Sequence, residues 1–287
     1  MQNKVWKRTE MYRTYLEDYA EKWKEFFLFK RVDGILEVRM HFQGKEPRWD
    51  METHRAFIPA FADIHHDPEN ECLIFTGTGS EFLAEFDAEG LKRAGLAGDP
   101  FGYEQGYKIF FQDQTKEPFA LLNLDIPVVC AINGPLFMHG ELALLNDIVI
   151  CSENTTIQDV HFPKAGVTPG DGVHTLFREL LGHVRGKYFL YTGQMLDAQE
   201  SLRLGLVSEV LPQDKLMDRA WELARKIMTR SPIHRRMTRT IFIQPWRELF
   251  TKELAFGQGL ESWACQIYWP LAEGAADPNE LKAGQIE

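Results

Sequence analysis

Three histidines stand near the expected ends of secondary-structure elements rather than on apolar stripes: His54, His139 and His161. Imidazole is the side chain best suited to accept a proton from water near neutral pH. His161 precedes the segment Pro169-Gly170-Asp171-Gly172, and an aspartate bonded to the second ring nitrogen would fix the tautomer of such a base. His161 and Asp171 could therefore form a dyad. Spacing alone, however, favours turn chemistry for Asp171 and an ordinary surface or core role for each histidine.

Two loops could bind a developing negative charge. Asn133-Gly134-Pro135 follows an apolar strand and leads into a short helix, and Gly77-Thr78-Gly79 also follows a strand. Backbone N–H groups at a helix start are unpaired, and two of them side by side can hold an oxyanion. From spacing alone, both loops are more simply interpreted as ordinary connections between a strand and a helix.

Several other chemistries lack the residues that they need. The histidines do not reproduce an H-E-x-x-H pattern or a Cys/His zinc spacing, so we expect no metal site. No G-x-S-x-G motif supports a serine nucleophile. Gly77-Thr78-Gly79 lacks the third glycine of a dinucleotide fingerprint, and no cofactor is expected.

Two sets of side chains have both a functional and a structural interpretation. A basic set could meet a phosphorylated cofactor such as coenzyme A, although such a run is more often the solvated side of a helix. An aromatic set could line an apolar pocket, although packing in a core or between subunits is the commoner role. The basic set is Arg225, Lys226, Arg230, Arg235, Arg236 and Arg239, and the aromatic set is Trp49, Phe82, Trp263 and Trp269.

The composition is that of a globular protein, with 44% hydrophobic and 26% charged residues in a chain of 287. A net charge of -10 argues against general nucleic-acid binding. No apolar run reaches the roughly 18 residues of a membrane span, and residues 1–10 lack the apolar stretch of a signal peptide. The four cysteines are widely scattered, so we expect a reduced, cytoplasmic protein that binds neither nucleic acid nor membrane.

Strands alternate with helices in the sequence pattern, which indicates an α/β fold with parallel pairing. The predicted strands cover residues 36–42, 71–75, 126–132, 147–151, 155–160 and 207–211. The predicted helices cover residues 9–27, 51–62, 142–145, 198–204 and 216–227, with further helical pattern to about residue 263. After Pro212 the sequence pattern becomes all-helical. We therefore divide the chain into a core of residues 1–212, which includes the helix 9–27, and a helical section of residues 213–287.

The order of these motifs resembles the crotonase (enoyl-CoA hydratase) superfamily over about residues 26–266. The motifs that carry the resemblance are Ile74-Phe75-Thr76-Gly77, Pro127-Val128-Val129-Cys130-Ala131-Ile132-Asn133-Gly134, Pro169-Gly170-Asp171-Gly172, Tyr191-Thr192-Gly193-Gln194 and the segment 198–210. The resemblance implies a crotonase-like spiral of β-β-α turns, a C-terminal helical section used for trimerisation, and a homotrimer or homohexamer.

The chain departs from the pattern of the CoA-processing members of that superfamily. Their oxyanion loop usually carries a run of glycines, whereas Met138-His139-Gly140 stands here. Hydratases also use two glutamates, of which Glu141 could match the first, but Phe162 stands near the position of the second. Without that carboxylate, the addition of water to an enoyl thioester lacks half of its acid/base pair.

These departures are similar to the β-diketone hydrolases of the superfamily, the group of 6-oxocamphor hydrolase. The likeness implies a retro-Claisen hydrolase that cleaves a carbon–carbon bond of a small-molecule diketone, without metal, nucleotide or covalent intermediate. It implies that His161, oriented by Asp171, activates water that Glu261 positions, and that His139 and His54 bind the enolate. Trp49, Phe82 and Trp263 would shape the pocket.

Two alternatives remain open at this point. One is a CoA-thioester enzyme, that is a hydratase, an isomerase or a thioester hydrolase, which the overall fold and the basic set favour. The other is a non-catalytic scaffold or RNA-associated relative, against which the net charge argues.

Overall fold

Strands and helices alternate along most of the chain in a computed structural model that describes residues 12–96, 102 and 104–269. The strands, in chain order, are β1 Phe27–Val32, β2 Ile35–Met40, β3 Arg48–Trp49, β4 Cys72–Gly77, β5 Glu85–Phe86, β6 Val128–Ile132, β7 Ile148–Ser152, β8 Thr156–Ile157, β9 Leu196–Asp197 and β10 Val210–Leu211. The α-helices of five residues or more are α1 Leu16–Lys22, α2 Met51–His66, α3 Ala88–Arg93, α4 Glu117–Leu122, α5 Gly140–Leu144, α6 Val173–Leu181, α7 His183–Thr192, α8 Ala198–Arg203, α9 Leu216–Met228 and α10 Pro232–Ile267. Two π-helical segments cover Gln105–Phe111 and His161–Ala165.

The main sheet has six strands in the order β1-β2-β4-β6-β7-β10. Only the β1–β2 hairpin is antiparallel, and the neighbours from β2 to β10 all pair in parallel. Beside this sheet, Leu83, Leu136 and Ile157 pair in parallel in single bridges. After β4, β6 and β7, therefore, the chain adds a short extended segment to a second, stacked layer, and this repetition is the expected crotonase spiral.

Both faces of the main sheet are buried, which is the usual condition of a parallel sheet. One face contributes alternate residues such as Leu73, Phe75 and Cys130 to the largest core. The opposite face is covered by the apolar stripe of α9, which includes Ala220 and Ala224. The continuous apolar runs of β4 and β6 follow from this arrangement, because neither side of these strands faces water.

The predicted helix over residues 9–27 is wrong in its extent. In the described residues, α1 covers only Leu16–Lys22, and the chain then turns into β1. Phe27–Val32 pairs with Ile35–Met40 around a turn with positive φ at Asp33 and Gly34. The sequence reading missed this strand, and residues 9–11 of the predicted helix lie outside the described residues.

The other predicted elements are present, with shifted ends. The long helix α2 is one example, because it begins at a side-chain cap in which Asp50 accepts a hydrogen bond from the N–H of Thr53 at 2.7 Å. After β10 the chain is helical, as expected, and α10 ends beside the cavity described below. Among the described residues, no helix combines the length and the apolar character that crossing a bilayer requires. The division at residue 212 stays a prediction.

Candidate active site

A cavity lies where β3, the start of α5, the π-helical segment His161–Ala165 and the last turns of α10 meet. Its wall is mostly apolar, with a few polar side chains that converge on one side, which is the usual character of a small-molecule site. The lining residues are Trp49, Met51, Phe86, Leu91, Leu96, Phe110, Gln114, Met138, His139, Val160, His161, Ala165, Val167, Glu261 and Trp269.

The backbone of His139 brings its imidazole to this cavity. His139 has φ 50° and ψ 47°, the left-handed conformation, immediately before α5 begins at Gly140. This conformation costs a residue with a side chain about 1–2 kcal/mol, so the surrounding contacts must hold it in place. The ring lies against Trp49, with centroids 4.3 Å apart, and its Nδ1 lies 2.7 Å from Oε1 of Glu141.

Three buried carboxylates face the same nitrogen of His139. Besides Glu141, Oε2 of Glu117 lies 3.5 Å from Nδ1 and Oδ2 of Asp171 lies 3.8 Å from it. Burial lowers the pKa of His139, but the charges of these carboxylates outweigh it and raise the pKa to about 9. His139 is therefore a cation at neutral pH, its Nδ1 is held by carboxylates, and the residue lines the cavity.

His161 has a carboxylate at each of its ring nitrogens. Nδ1 lies 3.0 Å from Oδ2 of Asp159 in a hydrogen bond, and Nε2 lies 3.2 Å from Oδ2 of Asp171. Burial lowers the pKa of His161, but the charges of Asp171 and Asp159 raise it well above its usual value. Burial in turn raises the pKa of Asp171, yet His161 beside it brings that pKa well below its usual range. The structure thus brings His161 and Asp171 together as the sequence predicted.

The turn that carries Asp171 is also structural, so both interpretations of Pro169-Gly170-Asp171-Gly172 hold. Oδ1 of Asp171 accepts a hydrogen bond from the N–H of Val173 at 3.2 Å, and Gly172 has φ 109°. A Cβ on Gly172 would meet the ring of Phe250 at 2.7 Å. The turn therefore anchors the carboxylate against α10 and aims its other oxygen at the histidines.

Glu261 reaches the cavity from α10, although it lies far from His161 and Asp171 in the sequence. Its Oε2 accepts a hydrogen bond from the N–H of Gly170 at 3.0 Å, and its side chain is almost fully buried. Burial, together with the charge of Asp171, raises the pKa of Glu261 to about 8. Glu261 is therefore a neutral carboxylic acid at pH 7, and one of its oxygens is held by the turn.

His54 lies behind the cavity rather than in its wall. It is 0% exposed, and its ring lies 5.8 Å from Trp49 and 5.9 Å from His139, centroid to centroid. Its Nε2 lies 3.1 Å from Oε2 of Glu117. His54 is therefore placed to act on a bound molecule through its neighbours His139 and Glu117, and its predicted direct contact with the enolate stays a prediction.

Two of the aromatic residues predicted for the pocket lie elsewhere. Phe82 is fully buried in the core and packs edge-on against Phe75, with centroids 5.6 Å apart. Trp263 is 64% exposed on α10. Two residues advance about 200° around a helix, so Trp263 and Glu261 point in nearly opposite directions. Trp49 and Trp269 do line the cavity.

The two loops expected to offer N–H groups lie side by side, as the spacing suggested, and Asn133 joins them. Its Oδ1 accepts from the N–H of Gly77 at 3.1 Å, and its Nδ2 donates to the carbonyl of Glu81 at 2.9 Å. A Cβ on Gly134 would come within 1.8 Å of the carbonyl oxygen of Ser80, so only glycine fits there.

The backbone N–H groups that follow in these two loops already donate hydrogen bonds to the protein, so they are not available to an oxyanion. Those of Phe82 and Leu83 donate to the carbonyl of Pro135 at 3.1 Å, and that of Phe137 donates to Leu83 at 2.9 Å. This part of the two loops is therefore structural, and the polar groups that converge on the cavity are side chains.

Much of the basic set is structural as well. Arg235 pairs with Glu71 at 2.6 Å, and Arg239, almost fully buried, pairs with Asp147. Arg236 pairs with Asp125, and Arg225 lies over the ring of Trp221. The guanidinium groups of Arg235, Arg236 and Arg239 hold α10 to the segments that lead into β4, β6 and β7, so the basic set gives little support to a phosphate-binding interpretation.

Three residues at the site were missed by the sequence reading as functional candidates: Asp159, Glu117 and Gln114. Asp159 lies two residues before His161, a signal that local spacing could have supplied. Glu117 and Gln114 stand near no motif, and only the fold brings them beside His54, His139 and the cavity. The buried Oε1 of Gln114 has no hydrogen-bond partner among the described residues.

Glu117, His139 and Glu141 also have ligand atoms within 4.8 Å of one another. Carboxylate and imidazole groups at such distances could hold a metal ion. In the described residues the same groups form ion pairs and a hydrogen bond with one another, and the expectation of no metal stays a prediction.

The model of the enoyl-CoA hydratase/isomerase family matches residues 30–263. Carnitinyl-CoA dehydratase from Citrobacter koseri is 32% identical over 207 residues, which is 71% of this chain and 75% of that protein. An enoyl-CoA hydratase/isomerase from Mycobacterium paratuberculosis has the same fold, with a TM-score of 0.75 at 21% identity, covering 84% of this chain and 94% of that one.

Among solved structures, a β-diketone hydrolase from the cyanobacterium Anabaena sp. PCC 7120, bound to (S)-3-oxocyclohexyl acetic acid, is similar with a TM-score of 0.81. It is 39% identical, and the match covers 87% of this chain and 97% of that one. From the family match and these relatives, the chain belongs to the crotonase superfamily and is an enzyme of the hydratase, isomerase or hydrolase type.

Proposed function

We propose that this enzyme hydrolyses a carbon–carbon bond of a cyclic β-diketone by a retro-Claisen reaction. The observation that carries the proposal is the pairing of two imidazoles at one apolar cavity. The rings of His139 and His161 lie 6.4 Å apart, centroid to centroid, and buried carboxylates back each of them. One imidazole can therefore handle a proton of water while the other handles the leaving group.

In the first step, a water molecule enters beside Nε2 of His161 and gives a proton to the couple of His161 and Asp171. The Nε2–Asp171 contact is an ion pair whose Oδ2 has no aligned hydrogen bond among the described residues, so it is the contact that water can displace. His161 must be neutral at that moment. Glu261, held by Gly170 through one oxygen, positions the water with the other.

The remaining oxygen and hydrogen of the water add as hydroxide to one carbonyl carbon. The tetrahedral intermediate then breaks its bond to the carbon between the two carbonyls, and the electron pair becomes an enolate on the second carbonyl. That α-carbon takes a proton from the cationic His139. The proton that His161 took from water then passes to His139, which returns both residues to their starting protonation states. Diketone and water give one carboxylic acid and one ketone, with no redox change.

The cavity offers donors where the charge develops. Trp49 lines the cavity, and its indole N–H has no partner among the described residues. His139 carries a positive charge at neutral pH, because of the carboxylates around its Nδ1. Donors directed at a charge that appears only during the reaction lower its barrier most, and losing one typically costs about 3 kcal/mol.

The ligand of the Anabaena hydrolase supports the substrate class. That molecule is a cyclic ketone with an acetic acid arm. A ketone and a carboxylic acid joined by carbon are what remains when water cleaves one ring bond of a bicyclic β-diketone. We therefore propose a bicyclic or otherwise cyclic diketone for this chain.

The direct test is a panel of cyclic and linear β-diketones, followed by loss of the diketone absorbance and by NMR of the products. We expect turnover to a keto acid by the wild-type protein, and turnover slower by about 10⁴-fold by the Asp171→Asn variant. Calorimetric titration with acyl-CoA is the parallel arm. Tight acyl-CoA binding without diketone turnover would overturn the proposal in favour of a CoA-thioester enzyme, the second candidate, which the carnitinyl-CoA dehydratase relatives favour.

We also propose a homotrimer or homohexamer in the cytoplasm. The last turns of α10 expose a stripe of apolar side chains at helical spacing, and a contiguous exposed apolar surface is typical of an interface. The stripe consists of Phe256, Leu260, Trp263 and Ile267. All four cysteines are free and buried, which fits a reducing compartment.

A further inference from the structure

Asp159 holds His161 at two points of the same residue. Its Oδ1 accepts a hydrogen bond from the backbone N–H of His161 at 3.2 Å, and its Oδ2 lies 3.0 Å from the ring Nδ1. The Asp159 side chain is about 1% exposed. A single buried carboxylate thus fixes both the start of the π-helical segment and the rotation of the imidazole that it presents.

The contact on the other nitrogen is of a different kind. Nε2 of His161 lies 3.2 Å from Oδ2 of Asp171, but that oxygen has no aligned hydrogen bond among the described residues. Asp171 is itself tied elsewhere, through Oδ1 to the N–H of Val173. An ionised carboxylate accepts hydrogen bonds but cannot donate one. A neutral His161, which has a single N–H, can therefore donate to only one of its two neighbouring carboxylates.

We propose that Asp159 is the positioning residue that keeps the proton of neutral His161 on Nδ1, which leaves Nε2 as the nitrogen that accepts the proton from water. The inference rests on the proposed function and deepens it. Asp171 then acts on the reactive side, where it stabilises the imidazolium after proton transfer, and Asp159 performs the orienting task expected of Asp171.

Several titratable groups of the described residues surround His161. Asp159 belongs to its own segment, Asp171 to the turn before α6, and Glu261 and Cys265 to α10, while His139 faces it across the cavity. Asp171 and Asp159 both raise the pKa of His161. Loss of the Asp159 charge therefore lowers this pKa, and the neutral base becomes available at lower pH.

The variant Asp159→Asn removes the charge that orients the His161 ring but keeps the local backbone structure, because its amide oxygen can still accept the hydrogen bond from the backbone N–H of His161. We expect kcat to fall by roughly 10²- to 10⁴-fold with KM changed less than about threefold. The acid limb of the pH–rate profile should move to lower pH. Asp197→Asn is the matched control, since the Asp197 carboxylate also accepts a hydrogen bond from a nearby backbone N–H, that of Glu200 at 2.8 Å, and does not line the cavity.

A measurement independent of activity accompanies the kinetics. In protein with ¹⁵N-labelled histidine, at a pH where His161 is neutral, the wild type should show the proton of His161 on Nδ1, and Asp159→Asn should shift it toward Nε2. If the proton stays on Nδ1 in the variant, or if kcat and the pH profile stay within twofold of the wild type, the inference is wrong.

A second variant and the NMR comparison cover two further results. If Asp159→Asn does not fold, Asp159→Ser keeps a turn-forming oxygen and undergoes the same measurements. If the wild type turns over no diketone, the proposed function fails, while the NMR comparison still decides whether Asp159 sets the tautomer.

Discussion

His139 and His161 face the same cavity, yet their surroundings prepare them for opposite tasks. At His139, the ion pairs with carboxylates of the described residues all involve Nδ1, and the residue lines the cavity. At His161, a carboxylate lies at each nitrogen. The pKa of both residues is raised, but only His161 among these two has both ring nitrogens paired with carboxylates.

The difference teaches that the role of a histidine is set by where its carboxylates lie rather than by their number. A cation with one free edge is a ready donor to an enolate. A cationic histidine that is paired with a carboxylate at each nitrogen must lose a proton and break one of these two contacts before it can act as a base.

The largest effect is expected when Asp171 loses its charge. Asp171→Asn removes the anion that stabilises the imidazolium of His161, so kcat should fall by about 10⁴-fold. Steady-state kinetics on the diketone that the wild type accepts would measure it, with Asp218→Asn on the surface of α9 as control. A rate within tenfold of the wild type would remove Asp171 from the mechanism.

Next is His139→Asn, which keeps a residue that tolerates positive φ but removes the cationic donor. We expect a fall in kcat of roughly 100- to 1,000-fold, with the fold intact by circular dichroism. In the wild type, the cation is present below the pKa of about 9 and is lost above it, so the rate should decline as the pH rises through 9. Persistence of that decline in the variant would assign it to another group.

A smaller effect is expected from Glu117→Gln. Glu117 lies farther from Nδ1 of His139 than Glu141 does, at 3.5 Å against 2.7 Å, so its loss should weaken the cation without abolishing it. The pKa of His139 falls, and the basic limb of the pH profile moves to lower pH. At pH 7.5, where most of His139 stays charged, the rate should change by less than about twofold, and near pH 9 it should fall by about threefold to tenfold. The exposed Glu104→Gln is the control, and an unshifted basic limb would contradict this role.

The smallest effect on kcat is expected from Trp263→Ser, because this side chain points away from the cavity. The rate per folded subunit should stay within twofold of the wild type. If the exposed stripe of α10 joins subunits, size-exclusion chromatography with light scattering should instead show a smaller assembly. A large rise in KM with an unchanged assembly would restore Trp263 to the substrate pocket.

The main sheet and much of the site could be predicted from the sequence. The runs at residues 71–75 and 126–132 are apolar on both faces, which indicates buried parallel strands, and the Asn-Gly-Pro turn follows directly. The resemblance to β-diketone hydrolases selected His139, His161 and Asp171. The strands are confirmed and the three residues lie together, because each inference depends on a local pattern or on the order of several local patterns, while the catalytic roles of the three stay predictions.

Only the tertiary structure decided which groups meet these residues. Glu117 reaches two histidines from a helix that carries no motif, and Glu261 reaches the turn at Gly170 from a distant part of the chain. Trp263, two positions further along the same helix, points to the surface. Chain distance does not encode such contacts, because a rotation of about 100° per residue and the packing of whole elements determine which side chain faces the cavity.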